Sequence, residues 1–179
     1  MKQVLFLALM LGGCVYVPRV VKLEQPDPGQ PSPICIQVEP FSDTRVDKTL
    51  IGVVRNGFYW PEGNARTEGD VARWITDHLR ASLTPESCVP EFSLQGRVRE
   101  VFVDEWFNLN ARIVVSLRLE RQQTVILERD LEVTYSQLSH LGSNSEFDET
   151  LRKALAAFGQ RAIPAVIAAA ADAPSTPAL

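Results

Sequence analysis

The 179-residue sequence predicts an α+β domain of two layers, a four-stranded mixed sheet with two helices on one face, in the order β-α-β-β-β-α. Four segments alternate apolar and polar residues with the period of a strand, and two others repeat apolar residues every three or four positions, as an amphipathic helix does. Because the strands are polar at every second position, one face of the sheet is left to water or to a partner.

Ile34-Cys35-Ile36-Gln37-Val38-Glu39 is the first strand, with Ile34, Ile36 and Val38 on one face and Pro40 as its end. Residues 42–66 read as a long loop, since Asn56-Gly57 and Pro61-Glu62-Gly63-Asn64 are turn signals. The run Phe58-Tyr59-Trp60 stands between them, and three adjacent aromatics argue for a functional rather than a disordered loop. Thr67-Glu68-Gly69-Asp70 has the spacing of a capping box with Thr67 as N-cap. The helix behind it presents Val71, Trp74, Ile75, Leu79 and Leu83 to a core and closes at Pro85.

Phe92, Leu94, Gly96 and Val98 mark the second strand. Its phase slips at Glu100 and resumes on Val101 and Val103, the signature of a β-bulge. Ala111, Ile113, Val115, Leu117 and Leu119 make the clearest strand in the chain. A turn at Arg121-Gln122-Gln123 leads to the last one, which carries Val125, Leu127, Leu131, Val133 and Tyr135, with Arg129 out of pattern. The second helix is expected to start near Ser145, with Asp148 three residues on, and to bury Phe147, Leu151, Leu155, Phe158 and Ala162. Gly159 and Pro164 should bend it or end it.

The expected plan is a leader at 1–13, a proline-rich tether at 14–33, a single domain at 34–172 and a disordered tail at 173–179. Lys2 and the apolar run 4–11 have the form of a secretory signal and are too short to cross a bilayer as a helix. Small residues Gly12 and Gly13 then precede a cysteine, and Leu11-Gly12-Gly13-Cys14 resembles the lipobox of bacterial lipoproteins. That resemblance implies a diacylglyceryl and palmitate anchor on Cys14. Val15, where a retention signal would have aspartate, is similar to outer-membrane sorting in enterobacterial lipoproteins, and implies a protein held at the periplasmic face of the outer membrane. At ~3 Å per residue, residues 15–33 could hold the domain up to roughly 60 Å from the lipid.

A formal net charge of −4 lacks the basic excess that nucleic-acid binding requires. Cys35 and Cys88 are an even pair in an exported chain, so a disulfide is expected between them, with two buried free thiols as the alternative. A strand-helix-strand crossover with parallel strands would bring both strand starts to one end of the sheet. No metal, cofactor or catalytic residue is expected: there is no Cys-x-x-Cys pair, and only His78 and His140 supply imidazole. His78 reads as a residue at the border of the first helix's apolar stripe and His140 as a surface loop residue. Asp43 and Arg45 read as a turn salt bridge, and Glu100, Asp104 and Glu105 as a solvated strand end.

Phe41-Ser42-Asp43-Thr44-Arg45, Leu50-Ile51-Gly52 and Val54-Arg55-Asn56-Gly57 resemble the Asp-x-Arg, Leu-Gly and Asn-Gly pattern early in the YajG-type lipoproteins of the bacterial outer membrane. The resemblance implies the β-α-β-β-β-α fold, shared in outline with envelope transport accessory lipoproteins. The function expected is that of a non-catalytic binding or scaffolding module, an accessory subunit of an envelope assembly, with an envelope hydrolase as the alternative. Phe58, Tyr59, Trp60, Trp106 and Phe107 are the candidate partner-binding residues, for an envelope protein or a second copy, because exposed rigid aromatics anchor interfaces. If the tether joins the domain at Ile34, this aromatic end lies farthest from the lipid.

Overall fold

The computed structural model describes residues 19–27, 31–55, 61–85, 89–139 and 143–173. Its centre is a strand of 14 residues, β6 (Phe92–Glu105), paired antiparallel to β7 (Asn108–Arg121), which in turn pairs antiparallel to β8 (Thr124–Leu138). Alternation dictates the placement: Leu94, Val98, Val101, Val103, Leu109, Ala111, Ile113, Val115, Leu117 and Leu119 are buried on one face. The phase slip at Glu100 is a bulge, the pairing passing from Val98↔Val115 to Glu100↔Val114. The β7–β8 turn has two central residues, Gln122 and Gln123, both at positive φ (47° and 67°), the twist a tight hairpin demands.

The sheet has eight strands rather than the expected four. Along the other edge of β6 lie three short parallel segments in succession: β2 (Ile36–Val38) beside Phe92–Leu94, β3 (Ser42–Asp43) beside Arg97–Val98, and β4 (Leu50–Arg55) beside Val103–Glu105. They amount to one edge strand interrupted twice. Antiparallel to β4 runs β5 (Pro61–Arg66), and β1 (Arg19–Val20) lies parallel to β5. The stretch 42–66 was expected to be loop because its strands are short and do not alternate. In β4 the adjacent Ile51 and Gly52 are both buried, and β5 is Pro-Glu-Gly-Asn-Ala-Arg, a turn composition that strand pairing overrides.

Residues from Arg19 to Gln25, expected in a free tether, are fastened to the domain. Val21 is buried and its N–H donates to the Arg66 carbonyl at 2.8 Å; the Lys22 N–H donates to Asp148 Oδ1 at 2.9 Å; the Trp74 indole N–H donates to the Glu24 carbonyl at 2.9 Å. Proline content argued for extended backbone, and extended backbone is also what a strand uses.

Two helices cover the apolar face. The first, α1 (Val71–Leu83), is capped by Asp70, whose carboxylate accepts from the Arg73 N–H, while Thr67 instead accepts from the Gly69 N–H one turn earlier. The second, α2 (Asn144–Ala171), begins near Ser145 as expected, but its capping box is Ser143 and Glu146 rather than Ser145 and Asp148. It continues without a break through Gly159 and Pro164; Pro164 is on the exposed side, where water can take the carbonyl that its missing N–H leaves unpaired. By length and composition α2 could cross a membrane, but Phe147, Leu151, Leu155, Phe158, Ala162 and Val166 are buried, as in a core helix.

The helices meet where Gly159 faces His78. A Cβ on Gly159 would come within 2.3 Å of His78 Nε2, so only glycine permits this approach. His78 is therefore core rather than border, 5% exposed, with Nε2 buried and unbonded among the described residues. Burial lowers its pKa from 6.5. Below about pH 6.5 the unfolded chain binds a proton that the folded imidazole resists, so His78 costs stability as pH falls. Unfolding free energies measured from pH 7 to pH 5 should fall more steeply for the natural chain than for His78→Asn, by up to about 1 kcal/mol per pH unit.

Candidate functional site

Two surfaces are left by this architecture, one end of the sheet and its uncovered face. At the end, β6 stops at Glu105 and β7 starts at Asn108, with Trp106 and Phe107 forming the tip between them. The Trp106 N–H donates to the Asn108 carbonyl at 3.1 Å, and the two rings lie 4.4 Å apart at 44°. Phe107 is 63% exposed, and beside it Leu138, at the end of β8 and paired with Asn108, is 69% exposed. The Ser139 N–H donates to the Phe107 carbonyl at 3.2 Å and its hydroxyl donates to Glu105 Oε1 at 2.8 Å.

Glu105 is a buried carboxylate, not a solvated strand end. Its Oε2 pairs with Arg19 Nη1 at 3.5 Å, and the Arg19 guanidinium lies 5.4 Å over the Phe147 ring. One carboxylate thus ties together the N-terminal strand, the β6–β7 tip and the exit of β8. Glu100 and Asp104 are not its companions: Glu100 pairs with Arg112 at 3.0 Å and Asp104 with Arg55 at 2.8 Å. Among the described residues no three metal-ligating side chains converge.

Phe58, Tyr59 and Trp60 lie outside the described residues, as do Cys14, Cys88 and His140. The strands that flank the aromatic run are described: Arg55 pairs with Pro61, and Val54 pairs with Glu105, so Arg55 and Pro61 lie at the same end of the sheet as the Trp106 tip. Cys35 stands just before β2, whose Ile36 pairs in parallel with Phe92.

The orientation expected for this end is reversed. β1 is parallel to β5, β5 antiparallel to β4, and β4 parallel to β6, so β1 runs opposite to β6. The chain therefore joins the domain at the end where β6 finishes, the aromatic end. The expectation failed because it took Ile34 as the start of the fold, whereas Arg19 already belongs to the sheet.

The uncovered face carries mostly polar rows set by register: Gln95, Arg118 and Glu128; Arg97, Ser116 and Asp130; and Glu100 and Glu132 on either side of Val114. Arg99 pairs with Asp130 at 2.7 Å, and Arg112 bridges Glu132 and Glu100. The hydrogen bond from Arg112 holds Glu132 below the usual carboxylate range, and the same bond raises Arg112. Arg97, Arg99 and Arg118 border a polar depression of about 1060 Å³, and Arg97 has no carboxylate partner among the described residues.

The motif around Asp43 serves the fold. Arg45 chelates the Asp43 carboxylate through Nε at 3.0 Å and Nη2 at 2.8 Å, and donates to the Leu50 and Lys48 carbonyls. Burial pushes the Asp43 carboxyl up, but the bonds from Arg45 outweigh it and leave the pKa below 3.8. Phe41 covers Gly96, where a Cβ would meet its ring at 2.3 Å. Both members of the ion pair have side chains less than 10% exposed. Arg45→Ala strands a buried carboxylate and should lower stability by about 3 kcal/mol in chemical denaturation.

No protein-family model matches the chain, and no curated protein matches it. Among solved structures it is similar to protein XCC0632 from Xanthomonas campestris, of the DUF330 family model. Identity there is 14%, over 87% of this chain and 97% of that one, with a TM-score of 0.59. Protein CT253 from Chlamydia trachomatis is 11% identical over 79% of this chain and all of that one, with a TM-score of 0.53. Lipoprotein GNA1162 from Neisseria meningitidis overlaps 70% of this chain at 11% identity, and a TM-score of 0.31 does not establish a common fold. At these identities the likeness to the first two is one of fold alone.

Proposed function

We propose that this is a lipid-anchored protein of the bacterial envelope that acts as a non-catalytic binding module, an accessory subunit at the periplasmic face of the outer membrane. The observation that carries the binding role is the uncovered sheet face. Three long strands leave rows of charged side chains on it, opposite the face that both helices cover. The anchor rests on Leu11-Gly12-Gly13-Cys14 behind a signal-like leader, and the family in which both features sit together is the YajG-like one that the Asp43 and Gly52 motifs resemble. The partner is a protein whose surface complements the arginines around the depression, where Arg97 and Arg129 have no carboxylate partner among the described residues.

In a host with lipoprotein processing, the natural chain should fractionate with outer membranes and carry acyl mass on Cys14, while Cys14→Ser accumulates as unacylated precursor. A Cys14→Ser product that is cleaved and equally membrane-bound would exclude lipidation as the anchor. Detergent extracts of the natural protein should retain a stoichiometric partner that Arg97→Glu loses; retention by both would place the binding surface elsewhere.

A Cys35–Cys88 disulfide is part of the same proposal. The parallel register Ile36↔Phe92 supports it, since Cys35 directly precedes β2 and Cys88 lies four residues before β6. Closing that loop is worth ~4 kcal/mol on the chain-entropy estimate. Thiol titration of the unfolded, unreduced mature protein should find neither cysteine free, and two reactive thiols would exclude the bridge.

A further inference from the structure

The direction of the first strand decides which end of the domain meets the membrane. Arg19 is level with Val103 through Ala65 and Gly52, two residues short of the end of β6, and the N-terminal end of β1 faces the end of the sheet that carries the Trp106 tip. Cys14 is five residues before Arg19. At ~3.5 Å per residue, that span reaches at most roughly 18 Å. Arg19 itself is held: its guanidinium is bound to Glu105 and stacked on Phe147, and the backbone that follows is bonded to Arg66 and Asp148. A lipid on Cys14 therefore tethers the domain on a short lead from the aromatic end.

We propose that this end is seated in the headgroup region of the bilayer that holds the Cys14 lipid, with Phe107, Leu138 and the Trp106 ring as its contacts. The proposal rests on the lipidation of Cys14 and goes beyond it in assigning the aromatic end to lipid. Chemistry fits the place. Phe107 and Leu138 are the most exposed large apolar side chains at this end, and the half-buried Trp106 ring beside them, its indole nitrogen turned inward, adds aromatic surface of the kind enriched at membrane interfaces. At this end Arg19 is paired with Glu105 and Arg55 with Asp104, and the first turns of α2 beside Leu138 add Glu146, Asp148 and Glu149, the last paired with Lys153, so the apolar tip has an acidic border on its α2 side. The opposite end has Gln122 and Gln123 at the turn and Arg121 paired to Glu91; its exposed apolar side chains are the small Val89 and Val125, with no exposed aromatic among the described residues. A soluble protein domain about 30 Å across does not fit within the roughly 18 Å lead between this end and the membrane, which makes lipid the occupant that the lead admits most readily.

The test uses the full mature chain, acylated and reconstituted into vesicles of phosphatidylethanolamine and phosphatidylglycerol in which some acyl chains are brominated near the headgroup. Trp60→Phe is compared with Trp60→Phe/Trp106→Phe, so that the difference isolates Trp106 fluorescence while the buried Trp74 is common to both. Gln122→Trp, added to the second variant, reports the opposite end. Bromolipid should quench the Trp106 component and spare the tryptophan at position 122. Quenching at 122 as strong as at 106, or a Trp106 component that bromolipid leaves unchanged, overturns the proposal. Trp106 shielded from both bromolipid and aqueous iodide in native membranes would mean a protein covers it, and also overturns it. Acyl mass on Cys14 and flotation with the vesicles separate the two readings: an unacylated Cys14 ends both, whereas an acylated, floating protein with unquenched Trp106 ends only the assignment of this end to lipid.

Discussion

The fold depends on the hydrogen-bonded edge of β6 that receives β2, β3 and β4 one after another. A parallel edge made of three short pieces gains little from each, because short ladders leave much backbone to be ordered for few bonds. What holds the pieces in line is side-chain chemistry in the gaps between them. Phe41 lies over Gly96 between β2 and β3, and its N–H donates to the Thr76 hydroxyl of α1. Between β3 and β4, the Asp43–Arg45 chelate holds the Lys48 and Leu50 carbonyls in place. The register so set carries the connection to β5 and, through β5, the position of β1.

The motifs that resemble the YajG-type pattern are accounted for by this scaffold. Asp43, Arg45 and Gly52 close loops and allow close packing; a Cβ on Gly52 would meet the Val103 carbonyl at 2.5 Å and the Phe147 ring at 3.2 Å. Residues of this kind mark a fold and say little about a partner, in keeping with the similarity to the Xanthomonas and Chlamydia proteins, which extends across most of the chain at 14% and 11% identity.

Glu105 links the scaffold to the surface. It is buried where the N-terminal strand, the tip and the exit of β8 meet, and it holds Arg19 through one oxygen and Ser139 through the other. This buried ion pair fixes Arg19, and with it the start of β1, at the same end as Trp106 and Phe107. The uncovered face, with its ladder of arginines and carboxylates, is turned through the sheet plane rather than towards that end. The two proposed contacts, with a membrane and with a protein, then fall on different surfaces.

The sequence by itself determined the class of the fold, the long strands, the bulge at Glu100, the two helices and most of the core, because period two and period 3.6 are local consequences of one buried face. It also carried the lipobox-like Cys14 and the aromatic residues of the tip. Only the tertiary structure decided that 42–66 forms strands, since pairing energy comes from β6 and not from a composition of Pro, Gly and Asn. It likewise buried His78, because a glycine 81 positions away gives the imidazole its space. Above all it decided the direction of approach: strand polarity is a property of the partner that a strand pairs with, so no pattern within residues 15–33 could say that β1 runs against β6 and delivers the chain to its aromatic end.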